Sequence, residues 1–354
     1  MFRLLDLYIA RTLLGTVTVT LSVLVGLSAL IKFVEQLRRV GQGDYDMTMA
    51  ALYVLLSLPR DIEQFLPMAT LLGGLIGMGL LAQNSELVVM QASGLSRWNI
   101  INSAMKSLII LIIAVMMLGE WVTPRSEAKA KELRTTALSG GSLILSDELF
   151  WAKDGSDFVS IGEVLTKETL RDITVYQFNL GLELTNVLTA DAALFKDDSW
   201  ELQNVSLLSF SPTKIDKTQA TTLSWNSTLT PDKLGIVAIK PEALSIQGLV
   251  GYVKYLNSSD QDSARYELAF WRKITQPITV AVMLLMALSF IFGPLRSVTM
   301  GARTIMGVMV GFSFFIANQV FGQVSLVFQL PAFIGALLPS IVFAGIAMLL
   351  LRRQ

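Results

Sequence analysis

A polytopic α-helical membrane protein with an inserted antiparallel β domain is the fold class this chain predicts, and three observations predict it. The 354 residues are 53% hydrophobic with a mean hydropathy of +0.57, above the apolar share of an ordinary soluble domain, so lipid must solvate much of the surface. Six apolar runs reach or approach the roughly 20 helical residues that a hydrocarbon core requires, three before a polar middle and three after it. Charge is partitioned as well: residues 124–267 hold 14 Lys+Arg against 20 Asp+Glu, a net of −6, so the remainder carries +6 in a chain that sums to zero.

The spans fall near Leu13 to Phe33, Phe65 to Ala82, Ile100 to Val122, Ile274 to Phe292, Ile305 to Phe328 and Pro331 to Leu351. The apolar run of the second begins at Ala50 and is broken by Pro59, Arg60, Asp61 and Glu63, which predicts a long, kinked helix with a polar mouth. Lys and Arg in short loops mark the cytoplasmic side. With both termini inside, that side holds Arg3, Arg11, Arg97, Arg296, Arg303, Arg352 and Arg353, opposed only by Asp6 and Glu86. Arg38, Arg39 and Arg60 then fall outside against the rule, among the acidic Glu35, Asp44, Asp46, Asp61 and Glu63.

This plan divides the chain into a first membrane half (1–123), a periplasmic β domain with flanking helices (124–267) and a second membrane half (268–354), a 3+3 arrangement common among transporters. Thr123 with Pro124 reads as a helix start, with Glu127 in its first turn. Beyond Gly140 and Gly141 the pattern turns strand-like, and Asp154-Gly155 between Leu149–Ala152 and Phe158–Ile161 is a hairpin signal. Further short runs at Asp172 to Phe178, Leu182 to Leu188, Ala192 to Phe195, Trp200 to Phe210 and Thr221 to Leu229 predict an antiparallel sandwich, jelly roll or barrel. Ser245 to Leu256 reads as an amphipathic helix leading back to the membrane.

Composition excludes several chemistries. There is no Cys and no His, which removes thiol nucleophiles, Ser-His-Asp arrangements and HExxH zinc sites. Gly73, Gly74, Gly77 and Gly79 lie in an apolar run with no following lysine, so they form no phosphate loop. Any nucleotide chemistry that drives this protein belongs to another chain, and no cofactor is implied.

Two constellations remain. In the link between the second and third spans, Asn84 or Ser85 can cap a short helix near residues 84–94, with Glu86 in its first turn and Gly94 as its stop. Leu87, Val88 and Met90 give it an apolar stripe that a partner's groove could grip, or that simply lies in the interface. The second is positive charge near the outer leaflet. Lys32 and Arg39, seven residues apart, share a helical face; Arg38 adjoins, Arg60 sits at the mouth of the second span, and Lys131 and Arg134 continue the third span outward. Such groups can bind phosphates, or snorkel with local partners such as Glu35 for Lys32. Glu120 and Trp121 end the third span, the tryptophan as an interfacial anchor and the glutamate as a paired acid.

The chain resembles the lipopolysaccharide-export permease family over nearly its full length. The resemblance is carried by Ile31-Lys32-Phe33-Val34, Ser85-Glu86-Leu87-Val88-Val89-Met90-Gln91-Ala92-Ser93-Gly94, Gly119-Glu120-Trp121-Val122, Gly140-Gly141-Ser142-Leu143, Trp151-Ala152-Lys153-Asp154-Gly155, Leu229-Thr230-Pro231-Asp232-Lys233-Leu234-Gly235 and Phe292-Gly293-Pro294-Leu295-Arg296-Ser297. It implies a non-catalytic inner-membrane ABC transporter permease that extracts lipopolysaccharide and passes it to a periplasmic bridge through a β jelly roll. It further implies a heterodimer with a sister permease, a cytoplasmic ATPase dimer, and a bitopic periplasmic partner resembling LptC beside the first helix. In that frame Glu86, with Ser85, Leu87, Val88, Met90, Ser93 and Gly94, couples to the ATPase, while Lys32, Arg38, Arg39, Arg60, Lys131 and Arg134 line the lipid cavity. A lipoprotein-release or mechanotransmission-type permease would pair four spans with a large outer domain, and a non-transporting scaffold would need neither Lys32 nor the capped helix.

Overall fold

The computed structural model describes residues 4–139, 150–155, 157–166, 168–179, 181, 183–196, 199–211, 214–227, 229–231, 241–258, 261–292 and 299–352. Among them, six helices are long and apolar enough to cross a membrane. Helix α1 (Leu4–Leu37) and α2 (Met47–Gln83) are followed by the short α3 (Glu86–Ala92), then by α4 (Arg97–Met117), a π turn (Leu118–Val122) and α5 (Thr123–Ser139). After the strands come a 3₁₀ turn (Pro241–Ala243), α6 (Ile246–Ser258), α7 (Ala264–Phe292), α8 (Met300–Val327) and α9 (Ala332–Arg352).

Helices α2 and α7 are the centre of the bundle: two thirds of the apolar window of each is buried, against 11% for α1 and 22% for α8. Small residues make the central contacts possible. A Cβ on Gly73 would lie 2.5 Å from the Val17 Cα, so α1 and α2 touch backbone to backbone, and the Thr16 hydroxyl donates to the Gly73 carbonyl at 2.8 Å. Gly74 makes room for side chains instead: a Cβ there would lie 2.9 Å from the Leu284 Cδ1 and 3.0 Å from the Ala287 Cβ of α7. The glycine run is thus packing. The periphery is apolar but open, with Val19, Val23, Leu27, Ile31 and Val34 of α1 all more than half exposed, a four-residue rhythm that puts them along one side of the helix.

The helices meet some expectations and correct others. The second span is one helix of 37 residues that carries Pro59 and Pro67 inside it; Asp61 and Glu63, read as a polar mouth, are buried. The helical piece expected at Thr123-Pro124 is present: α5 begins at Thr123 and continues the third span without interruption. The third span runs from Arg97 to Leu138, and the π turn immediately before Pro124 supplies the wider ring that a residue lacking N–H and clashing with the preceding turn needs. Finally, α1 ends at Leu37, so Arg38 and Arg39 stand in the turn that follows and Arg39 does not share a helical face with Lys32. Gly41 and Gly43 take positive φ there, and Asp46 caps α2 by accepting from the Met49 N–H at 2.8 Å. That bond and those from Thr48 hold the Asp46 carboxyl below its ordinary range.

The strands form one antiparallel sheet in the order β1 to β6: Phe150–Asp154, Asp157–Thr166, Thr169–Phe178, Leu184–Lys196, Ser199–Ser211 and Lys214–Trp225. The hairpin at Asp154-Gly155 is present, with Asp154 facing Asp157 and Gly155 at φ +63°. Two of the sequence runs, Leu182 to Leu188 and Ala192 to Phe195, join as the single strand β4, and β6 begins seven residues before Thr221. The reason is exposure: β6 is an edge strand whose residues before Trp225 are all exposed, so no alternation marks it. Sequential connections make the described strands a meander; a jelly roll would add Greek-key crossings, and Gly140-Gly141 and residues 232–240 lie outside the described residues. One face of the sheet packs on α6 through Tyr252, Tyr255 and Leu256. The fully buried Trp200 indole N–H donates to the Leu229 carbonyl at 2.7 Å.

Candidate functional site

The six basic residues gather at the end of the bundle that bears the sheet, on the close of α1 and its turn, the first half of α2, and α5. The loop between α1 and α2 is docked there: the Asp44 N–H donates to the Ala137 carbonyl at 2.8 Å, and the buried Tyr45 donates to Gln36 at 3.2 Å. Tyr45 feels the field of both Arg134 and Arg39, which offset part of the rise that burial imposes on its hydroxyl. Arg134 lies over the Tyr53 ring with its guanidinium carbon 5.3 Å from the centroid and reaches the Tyr53 hydroxyl at 3.4 Å. Arg38 and Arg39 are exposed, and Lys131 is half-buried one turn before Arg134 on α5.

Two of the cations are already held by carboxylates. Lys32 Nζ is 2.6 Å from Asp61 Oδ1, not paired with Glu35, and Ser28 donates to Asp61 Oδ2 at 3.1 Å. Arg60 reaches Glu127 at 3.4 Å and Glu242 at 3.7 Å.

Below them is a polar hub that the sequence did not reveal. Buried Lys273 of α7 donates to the Gly119 carbonyl at 2.8 Å and the Leu244 carbonyl at 2.7 Å, and stands 3.5 Å from Glu63 of α2. Gln276 donates to the Glu63 carbonyl at 2.8 Å. Next to Gly119, Glu120 accepts the N–H of Ile246 at 2.7 Å and of Gln247 at 3.4 Å, so it caps α6 from across the fold. Glu120 is therefore a paired acid, as the sequence suggested. The hub ties the third span, both central helices and the segment returning from the sheet into one joint.

At the opposite end, α3 packs against the bundle. Glu86 accepts from the Tyr8 hydroxyl at 2.7 Å and from Asn84 at 3.3 Å. The expected cap is absent: Ser85 adopts φ +60° and makes no side-chain capping bond. The C-terminal signal holds, with Gly94 at φ +94° after Ser93, whose hydroxyl bonds the Met90 carbonyl at 2.8 Å. The apolar stripe divides. Leu87 and Met90 are buried in the bundle, leaving Val88 and Val89 as the exposed apolar face. A cleft beside them is lined by Ala82, Leu87, Val88, Gln91, Arg97, Ile291 and Phe292.

A basic cluster at one end and a short surface helix at the other sit on six spans interrupted by a β domain, and one family model covers that whole plan, matching residues 7–353: the lipopolysaccharide export system permease LptF/LptG. The chain belongs to this family. It is 50% identical over 356 aligned residues to lipopolysaccharide export system permease protein LptG of Escherichia coli (strain K12) and 46% identical to the protein of the same name from Haemophilus influenzae, each match covering 100% of this chain and 99% of the relative.

Within this LptF/LptG permease, Lys273 is the polar residue that sequence reasoning passed over, and Asp61, Glu63 and Glu127 are residues it noticed without assigning their partners. A signal existed, since two carboxylates inside an apolar run demand basic partners. What was missing was the partner: Lys32 is 29 residues from Asp61, and Lys273 lies 210 residues from Glu63.

Proposed function

We propose that this chain is the non-catalytic membrane subunit that takes lipopolysaccharide from the inner membrane and hands it to a periplasmic bridge, powered by ATP hydrolysed on a separate cytoplasmic dimer. The observation that carries the reading is the gathering of Lys32, Arg38, Arg39, Arg60, Lys131 and Arg134 at the sheet-bearing end, beside spans whose outer sides are apolar. Lipid A presents that same pairing of phosphates and acyl chains. The sheet is periplasmic, both termini are cytoplasmic, and α3 meets the ATPase through Glu86 and the exposed Val88 and Val89. The open apolar side of α1 suits a neighbouring span, from a bitopic partner or from the sister permease that completes a heterodimer.

Transfer of crosslinkable lipopolysaccharide from proteoliposomes to the periplasmic acceptor tests this. Lys32→Asp should cut transfer at least about tenfold, because repulsion replaces attraction where the dielectric is low, while Lys32→Arg should stay within about twofold. Near wild-type transfer by Lys32→Asp would refute the phosphate role.

A further inference from the structure

Lys32 is not waiting free for its ligand. Asp61 holds it at 2.6 Å, and the two partners differ in access: the aspartate side chain is 3% exposed, the lysine 29%. The acid is short, fixed midway along a central helix and anchored by Ser28 at 3.1 Å. The base is long, pivots on several bonds and is partly exposed. When Lys32 turns toward another anion, Asp61 is left buried with, among the described residues, a serine hydroxyl as its hydrogen-bond partner, a state that draws the lysine back. A site built only to grip phosphate would gain by omitting this acid; a site that must also let go gains by keeping it.

We propose that Asp61 is the resident counter-ion of Lys32, a positioning residue that a lipid A phosphate must displace in order to bind and that reclaims the lysine when the lipid leaves. The inference rests on the reading of Lys32 as a phosphate contact. It adds an element that sets release, and it makes an acid, not another base, decide how tightly the cavity holds its cargo. Arg60, one residue away and shared between Glu127 and Glu242, shows the same pattern of a cation already engaged.

The assembled complex in nanodiscs would be titrated with fluorescent bis-phosphorylated lipid A, its dephosphorylated form, and phosphatidylglycerol. Asp61→Asn should raise affinity for bis-phosphorylated lipid A about fivefold or more and slow its dissociation, with no change for the dephosphorylated form, since only a charged ligand competes with the carboxylate. An equal gain for phosphatidylglycerol would overturn the assignment to lipid A phosphate. Unchanged or weaker binding by Asp61→Asn, with Lys32→Gln still weakening it, would show the pair to be a clamp between α1 and α2 and refute the inference alone. Silence of Lys32→Gln as well would refute the phosphate reading and the inference with it. If Asp61→Asn fails to assemble, Ser28→Ala keeps both charges: it leaves Asp61 more dependent on Lys32 and should lower affinity about twofold. No change, or a gain, would count against displacement.

Discussion

Glu86 and Lys273 are ionisable residues that the fold treats in opposite ways. Lys273 is sealed in: two carbonyls accept its hydrogen bonds and Glu63 supplies its counter-charge. Removing one member of a buried pair leaves the other uncompensated, so Lys273→Met should destabilise the protein by about 3–5 kcal/mol, whereas Glu63→Leu combined with Lys273→Met should recover most of that loss. Thermal unfolding of the detergent-solubilised complex measures both, and equal loss in the single and double variants would mean that the carbonyl contacts, not the ion pair, matter. Glu86 instead is partly exposed, and among the described residues it accepts from the Tyr8 hydroxyl and Asn84. Its loss should leave folding intact and weaken ATPase docking by roughly 1.5–3 kcal/mol, the range for a hydrogen bond to a charged group. Subunit stoichiometry and lipid-stimulated hydrolysis of Glu86→Ala report this. Unchanged values for both would remove the coupling role.

Among the elements, the third span shows what the sequence revealed and what it concealed. Thr123-Pro124 reads as a helix start and α5 does begin there, but the π turn joins it to α4 so that the span stays continuous. Local preference was satisfied by a π turn instead of a break, and the π turn in turn places Gly119 against Glu63 and Glu120 beneath α6. No pattern of period or capping encodes that, because its reward comes from residues more than fifty positions away. A Cβ at Gly119 would lie 2.8 Å from the Glu63 carboxylate, so Gly119→Ala should cost about 1–3 kcal/mol through overpacking. Gly251→Ala on α6, where nothing stands within 4 Å, should instead gain about 0.5–1 kcal/mol of helix stability. Equal thermal midpoints for the two variants would mean that the joint yields easily. The strands follow the same logic: the hairpin written in local turn chemistry was legible, while the edge strand β6, with no buried face to alternate against, was legible only in its last residues.

Taken whole, the molecule was readable where lipid imposes a rule, and unreadable where two distant polar groups neutralise one another. Six spans, an inserted antiparallel sheet and a helix stop at Gly94 all follow from length, period and turn residues. The misplaced positive charge is the instructive case. Arg38, Arg39 and Arg60 oppose the charge bias of the short loops, but Arg60 is matched by Glu127 and Glu242, so at least one of the three carries no unpaired charge at that face. The proposed orientation, with α3 in the cytoplasm and the sheet outside, then rests on Arg11, Arg97 and Arg352. The absence of cysteine allows a clean test. Single cysteines would be introduced as Asp216→Cys on the exposed β6 and as Val89→Cys on the exposed side of α3, at positions whose side chains face away from the core. A membrane-impermeant thiol reagent applied to intact spheroplasts should label Asp216→Cys and spare Val89→Cys until the membrane is opened. Once opened, labelling of Val89→Cys should fall when the ATPase is co-expressed, since a docked partner would cover that valine face. Labelling of Val89→Cys from outside would invert the topology and place the ATPase contact elsewhere, whereas full labelling of opened membranes despite bound ATPase would keep the topology and remove α3 from the interface.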